Sequence, residues 1–156
     1  MHETALLEQL TEDIGIAHQL LELIDEEFAA LGNRDLAGLE AILTKKQPLL
    51  ALLGQHGAQR SQWLTGQQLP PDRNGLQAAV SGSPSGETIL EQARTLEAEL
   101  ESCRSANERN GRLIRANQSA LGSMLHILQG KDDTPDLYDN RGGASKSKQQ
   151  RPLSQA

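Results

Sequence analysis

The sequence predicts an all-α protein: an antiparallel helical hairpin plus a long third helix in a coiled-coil-like three-helix arrangement, with a flexible C-terminal tail. Three observations predict it. Apolar residues recur every three or four positions over three long stretches, the spacing of helices that bury one stripe. Only 2% of residues are aromatic, with one Trp, one Tyr and one Phe, which suits a narrow seam of small and branched side chains better than an ordinary core. Stretches rich in Gly, Pro, Ser and Asn separate the stripes and mark the connections.

The first stripe runs through Leu7, Leu10, Ile14, Ala17, Leu21, Ile24, Phe28 and Leu31. It predicts a helix over residues 3–32, roughly 45 Å long at the usual rise. Gly32-Asn33 ends it, and Asp35 is placed to cap the next helix. The second stripe, Leu36, Leu39, Leu43, Lys46, Leu50, Leu53, Gly57, Arg60 and Leu64, predicts a helix over 35–65. Pro48 falls inside it and is a candidate kink, because the ring removes a backbone donor. A connection of a few residues obliges the two helices to lie antiparallel.

Charge supports the hairpin. Through Asn33 the chain carries eight acids (Glu3, Glu8, Glu12, Asp13, Glu22, Asp25, Glu26, Glu27) and no Lys or Arg. The next segment carries Arg34, Lys45, Lys46 and Arg60 against Asp35 and Glu40. Exposed pairs of this kind are each worth under about 1 kcal/mol.

Residues 66–86, with Pro70-Pro71, Asn74-Gly75 and Ser81-Gly82-Ser83-Pro84-Ser85-Gly86, read as a linker in which Leu76 to Val80 form a short turn of helix. The third helix is predicted over 87–129, and its stripe is Ala93, Leu96, Leu100, Cys103, Asn107, Asn110, Ile114, Asn117, Leu121, Met124 and Leu128. Three of its central members are Asn, and Gly111 follows. Asn in such a seam lowers stability and fixes register, and a helical Gly costs about 1 kcal/mol relative to Ala. The helical domain thus spans 3–130. Beyond Gly130, four aspartates surround Leu137-Tyr138 and a basic, Gly- and Ser-rich stretch follows, which predicts a flexible tail over 131–156.

Enzyme chemistry finds no foothold. His2, His18, His56 and His126 lack metal-ligand spacing and read as solvated or flanking residues, and Cys103 reads as a small buried thiol. No catalytic residue, metal site or cofactor is predicted. The net charge of −6 argues against nucleic-acid binding. No apolar run approaches the roughly 20 residues of a membrane span, and the acidic N-terminus does not read as a secretory signal. Asn117-Gln118-Ser119 matches a glycosylation acceptor but falls within a helix. The expected location is the cytoplasm.

What remains points to protein binding. Asn107, Asn110 and Asn117 either specify register or hydrogen-bond a partner. Ile114, Leu121, Met124 and Leu128 supply anchors at the spacing used when one helix docks against another. Tyr138 with Leu137 is either ordinary tail or a short docking motif steered by its aspartates.

The Cys103-to-Ile114 stretch, with Asn107, Asn110-Gly111 and Leu113-Ile114, resembles the signature of the FlgN family of flagellar type III export chaperones. Leu137-Tyr138-Asp139 followed by Gly142 resembles that family's tail motif, and Leu39 to Leu53 with Lys46 resembles its second helix. The resemblance covers roughly residues 3–143. It implies a cytoplasmic chaperone that binds the C-terminal regions of the hook–filament junction proteins, hook-associated proteins 1 and 3. Such a chaperone prevents premature assembly and delivers its cargo to the cytoplasmic domain of the export gate, with the export ATPase complex as a further partner. The cargo-binding residues would be Asn107, Asn110, Ile114, Asn117, Leu121, Met124 and Leu128, and the gate-docking residues Leu137 and Tyr138. A structural coiled-coil adaptor, or a secretion chaperone with another cargo, are the alternatives.

Overall fold

Four helices follow one another: α1 (Glu3–Asn33), α2 (Leu36–Gly66), α3 (Arg73–Ala79) and α4 (Gly86–Gln129). The computed structural model describes residues 1–129, so the tail, including Leu137 and Tyr138, lies outside the described residues. Residues 1–113 form one compact unit, and the core lies in it; the remainder of α4 belongs to a second.

α1 ends where Arg34 turns left-handed (φ 56°), which lets the Asp35 N–H close on the Ala30 carbonyl at 2.9 Å. Asp35 then caps α2, its carboxylate accepting the Gly38 N–H at 3.0 Å. Between these two caps the chain reverses. α2 runs through Pro48 as one uninterrupted helix. Pro48 lies on the exposed side, where the carbonyl left without a helical donor can meet water.

Cross-helix bonds fix the directions. Gln9 meets Gln59 and Glu27 meets Lys46, so α2 descends as α1 rises. Cys103 meets Ala17 and Asn110 meets Ile24, a constant offset of 86 residues, so α4 rises alongside α1. The result is an up-down-up bundle. Its interior is three apolar clusters in succession: Leu6, Leu10, Ala17 with Ile89 and Leu96; Ile16, Leu20, Ile24 with Cys103 and Ala106; and Leu23, Ala30 with Ile42.

The segment 66–86 is not a mere linker. Asp72 caps α3 through the Gly75 N–H at 3.0 Å, and Leu76 and Val80 enter the first cluster, both at least nine-tenths buried. Gly75 is required there, since a Cβ would stand 1.7 Å from the Pro70 carbonyl oxygen. Two apolar side chains four residues apart suffice to dock one short helix across the open end of the hairpin.

The buried seams sit beside the expected ones. In α1 the positions Leu10, Ala17 and Ile24 are buried as expected, but they alternate with Asp13 and Leu20, while Phe28 is 41% exposed. In α4, Leu96, Cys103 and Asn110 are buried, and they alternate with Ala106, while Leu100, Asn107 and Ile114 are exposed. Each helix is rotated so that the second member of its heptad falls one residue earlier. On α2 the expected stripe divides: Leu64 is buried and Leu39, Lys46, Leu53, Gly57 and Arg60 are half-buried, but Leu36, Leu43 and Leu50 are 76%, 51% and 51% exposed, and the buried Ile42 and His56 lie off the stripe.

Candidate functional site

The rotation of α1 has a chemical cause. Asp13 is fully buried, and its carboxylate accepts from Arg60 Nη1 at 2.7 Å and lies 2.5 Å from His56 Nδ1. Gln9 extends the network, accepting from Arg60 at 2.9 Å and donating to Gln59 at 2.8 Å. Paired in this way a carboxylate can occupy a core position, and it ties α1 to α2 at one register. His56 is therefore an internal structural group rather than a solvated one. His18 is exposed, with Nε2 3.3 Å from Glu99 Oε1.

A second polar knot joins all three long helices. Asn110, 2% exposed, donates through Nδ2 to the Ile24 carbonyl at 2.8 Å and to Glu27 Oε1 at 2.9 Å. Its Oδ1 accepts from Arg109 Nε at 3.1 Å. Glu27 reaches α2 through Lys46 Nζ at 3.5 Å. Arg109 continues outward, pairing with Asp25 at 3.0 Å and lying 4.1 Å from the centroid of the Phe28 ring. The hydrogen-bonding capacity of Asn110 is used within the bundle.

Asn110 was expected on the cargo-binding surface; it is instead a register lock, because its amide faces α1. Asn107 is exposed, Ile114 is 40% exposed and Asn117 is half-buried. Leu121, Met124 and Leu128 lie on the same helix, but their side chains fall outside the described ones, as do Leu137 and Tyr138 altogether. The structure thus leaves Asn107 and Ile114 accessible and withdraws Asn110.

Cys103 lies in the second cluster, its thiol donating to the Ala17 carbonyl at 3.4 Å. Burial pushes its pKa up, and the nearby carboxylates of Glu99 and Asp25 push in the same direction, with Lys46 opposing. A thiol held in its neutral form is a packing group, not a nucleophile. Among the described residues no group of three His, Cys, Asp or Glu could hold a metal ion. No described helix is long and apolar enough to cross a membrane.

The remaining surface feature is an open apolar stripe. Leu36, Leu43 and Leu50 repeat at seven residues on the outer side of α2, and only Glu40, Lys45 and Lys46 carry charge between the first and the last. A helix presenting such a row to water is a ready half of a helix–helix contact. Sequence reasoning placed these leucines in the core because α2 has apolar residues around most of its circumference. It read Asp13, Glu27, Lys46 and Arg60 as opposed charges of a hairpin but as exposed ones, and it foresaw neither the burial of Asp13 nor the pairing of Arg109 with Asp25.

The sequence model of the FlgN protein family matches residues 1–146. No curated protein sequence matches the chain. Among solved structures, a flagella synthesis protein FlgN from Pseudomonas aeruginosa is similar, with 41% identity, a TM-score of 0.69, 82% of this chain covered and 98% of that one.

Proposed function

The chain belongs to the FlgN family, and from that premise we propose that it is a cytoplasmic flagellar type III export chaperone. Its cargo is the C-terminal region of the hook–filament junction proteins, hook-associated proteins 1 and 3, which it keeps from assembling early and hands to the cytoplasmic domain of the export gate. The observation that carries this reading is the open stripe of Leu36, Leu43 and Leu50. A cargo end that polymerises through amphipathic helices needs a temporary partner helix, and a row of leucines at seven-residue spacing supplies one.

On α4, Asn107, Ile114, Asn117, Leu121, Met124 and Leu128 are further cargo-binding residues, while Asn110 holds the register from within. Leu137 and Tyr138 dock the loaded chaperone on the gate, with the export ATPase complex as a further contact. The full chain mixed with hook-associated protein 1 should form a complex that deletion of the cargo's C-terminal region abolishes. Introducing Leu43→Asp with Leu50→Asp, or Ile114→Asp with Leu121→Asp, should remove binding while circular dichroism keeps its helical signal. Unchanged affinity in both folded double variants sinks the assignment, and self-association without cargo binding favours a structural coiled coil.

A further inference from the structure

The open row on α2 does not stop at Leu50. At the same interval of seven it continues to Gly57 and Leu64, and both of these line a cleft of about 330 Å³ between α2, α3 and the first part of α4. Exposure falls along the row: 76% at Leu36, 51% at Leu43 and Leu50, intermediate at Gly57 and 5% at Leu64. A heptad row drifts about 20° per repeat around a straight helix. The row therefore winds from the outer side of α2 into the cleft, along the path that a second helix supercoiled on α2 would follow.

Gly57 is the gap in that row. It lies in mid-helix, its φ is not positive, and a Cβ built on it meets nothing within 4 Å. Neither backbone conformation nor packing within this chain requires glycine there, and glycine lowers helix stability relative to alanine. Where a coiled coil would present a side chain, α2 presents a hole, walled by the half-buried Trp63 and the buried Leu64 and Leu96. Such a hole receives a large side chain from the facing helix.

Charge at the cleft is unevenly engaged. Arg60 is turned inward to Asp13, Arg73 pairs with Glu97, and Asp72 caps α3. Arg94 lines the cleft, is exposed and forms no ion pair among the described residues. It is the cation left for a partner.

We propose that the cargo's amphipathic helix lies along this row and sets one bulky side chain, leucine or aromatic, in the cleft beside Gly57, with an acidic residue next to that anchor facing Arg94. The register so defined rests on the chaperone reading and sharpens it. Leucines in a row grip any apolar stripe, whereas a single hole admits a large residue at one position only. Leu36 to Gly57 is 21 residues, about 32 Å of helix, so the cargo segment is three heptads long with its anchor at one end.

Trp63 is the only tryptophan of the chain, so fluorotryptophan labelling gives one fluorine resonance, to which unlabelled cargo adds nothing. Titrating the full chain with hook-associated protein 1 should shift that resonance. Gly57→Leu, which gains helix propensity, should keep its circular dichroism signal and weaken cargo binding about tenfold or more. Arg94→Glu should weaken binding about tenfold, the scale of one charge-assisted contact. Arg104→Glu, the same charge change outside the cleft lining, should not. Wild-type binding with an unmoved Trp63 resonance overturns the proposal and leaves the chaperone reading standing. So does a folded Gly57→Leu variant, or an Arg94→Glu variant, that binds as tightly as wild type. If Gly57→Leu does not fold, the resonance and the two arginine variants decide. A resonance that moves with chain concentration before cargo is added places a second copy of this chain in the cleft and overturns the proposal too. Failure of the wild type to bind cargo at all removes the chaperone reading, and the register with it.

Discussion

The side-chain amide of Asn110 donates to the main-chain carbonyl of Ile24 at 2.8 Å, a bond that only one sliding position of α4 along α1 can make. An apolar contact tolerates a shift by one turn, whereas this bond and the one to Glu27 do not. Asn110→Ala should therefore cost about 1–3 kcal/mol, since Glu27 loses a buried partner. Asn107→Ala, on an exposed position of the same helix, should leave stability within about 0.5 kcal/mol. Urea unfolding of the two variants side by side tests the contrast; equal losses would remove the distinction between them.

Asp13 and Arg60 set a larger effect. Removing the carboxylate alone, as in Asp13→Ala, leaves a guanidinium facing the interior and should destabilise by about 3–5 kcal/mol. Replacing the group together, Asp13→Leu with His56→Leu and Arg60→Met, should restore the denaturant midpoint to the wild-type value or above it. A triple variant as unstable as the single one would show that packing, not charge, is at stake.

These two knots also mark the limit of what was legible in the sequence. Heptad spacing located the three long helices and the positions shared by both versions of the seam, Leu10, Ala17, Ile24, Leu96, Cys103 and Asn110. Choosing the second set by hydropathy favoured Ile14 and Phe28 over Asp13 and Glu27 and could not separate Leu21 from Leu20; Ile14 and Leu21 pack half-buried on the flank of the core, while Phe28 is exposed. A carboxylate reads as solvated until its partner is known, and the partners of Asp13 are 43 and 47 residues away. The open stripe on α2 was hidden for the opposite reason, because leucine at every candidate face leaves periodicity with nothing to decide. Nothing local in Leu76 or Val80 announces that a Gly-, Pro- and Ser-rich connection is pinned to the core.

Cys103 gives a pH dependence with a definite sign. Its pKa is raised in the folded state by burial and by Glu99 and Asp25, so folding favours the neutral thiol. The associated stability is fully present below the unfolded thiol's pKa, about 8.5, and is lost as pH climbs through the folded value. Wild type should lose stability in the alkaline range relative to Cys103→Ala, and alkylation of the thiol at neutral pH should be slow until denaturant is added. Rapid alkylation of the folded chain would contradict its placement in the second cluster.

Tyr138→Ala should spare cargo binding and melting temperature yet lower the affinity of the cargo complex for the gate roughly thirtyfold, the factor that 2 kcal/mol implies. Titrating the purified cytoplasmic gate domain with wild-type and variant complexes checks it, and equal affinities would make the tyrosine an ordinary tail residue.

The constant offset of 86 residues between α1 and α4 bears on the order in which the bundle is put together. The turn after Asn33 lets α1 and α2 meet across a short loop, whereas α4 must close a loop of nearly ninety residues before Asn110 reaches Ile24. The hairpin should thus form first on the nascent chain, and α4 should join it last. By the same accounting α4 is the element whose release leaves the hairpin's own contacts untouched. Hydrogen exchange should find the amides of α4 opening before those of α1, giving the bundle a detachable third helix rather than a single all-or-none unit.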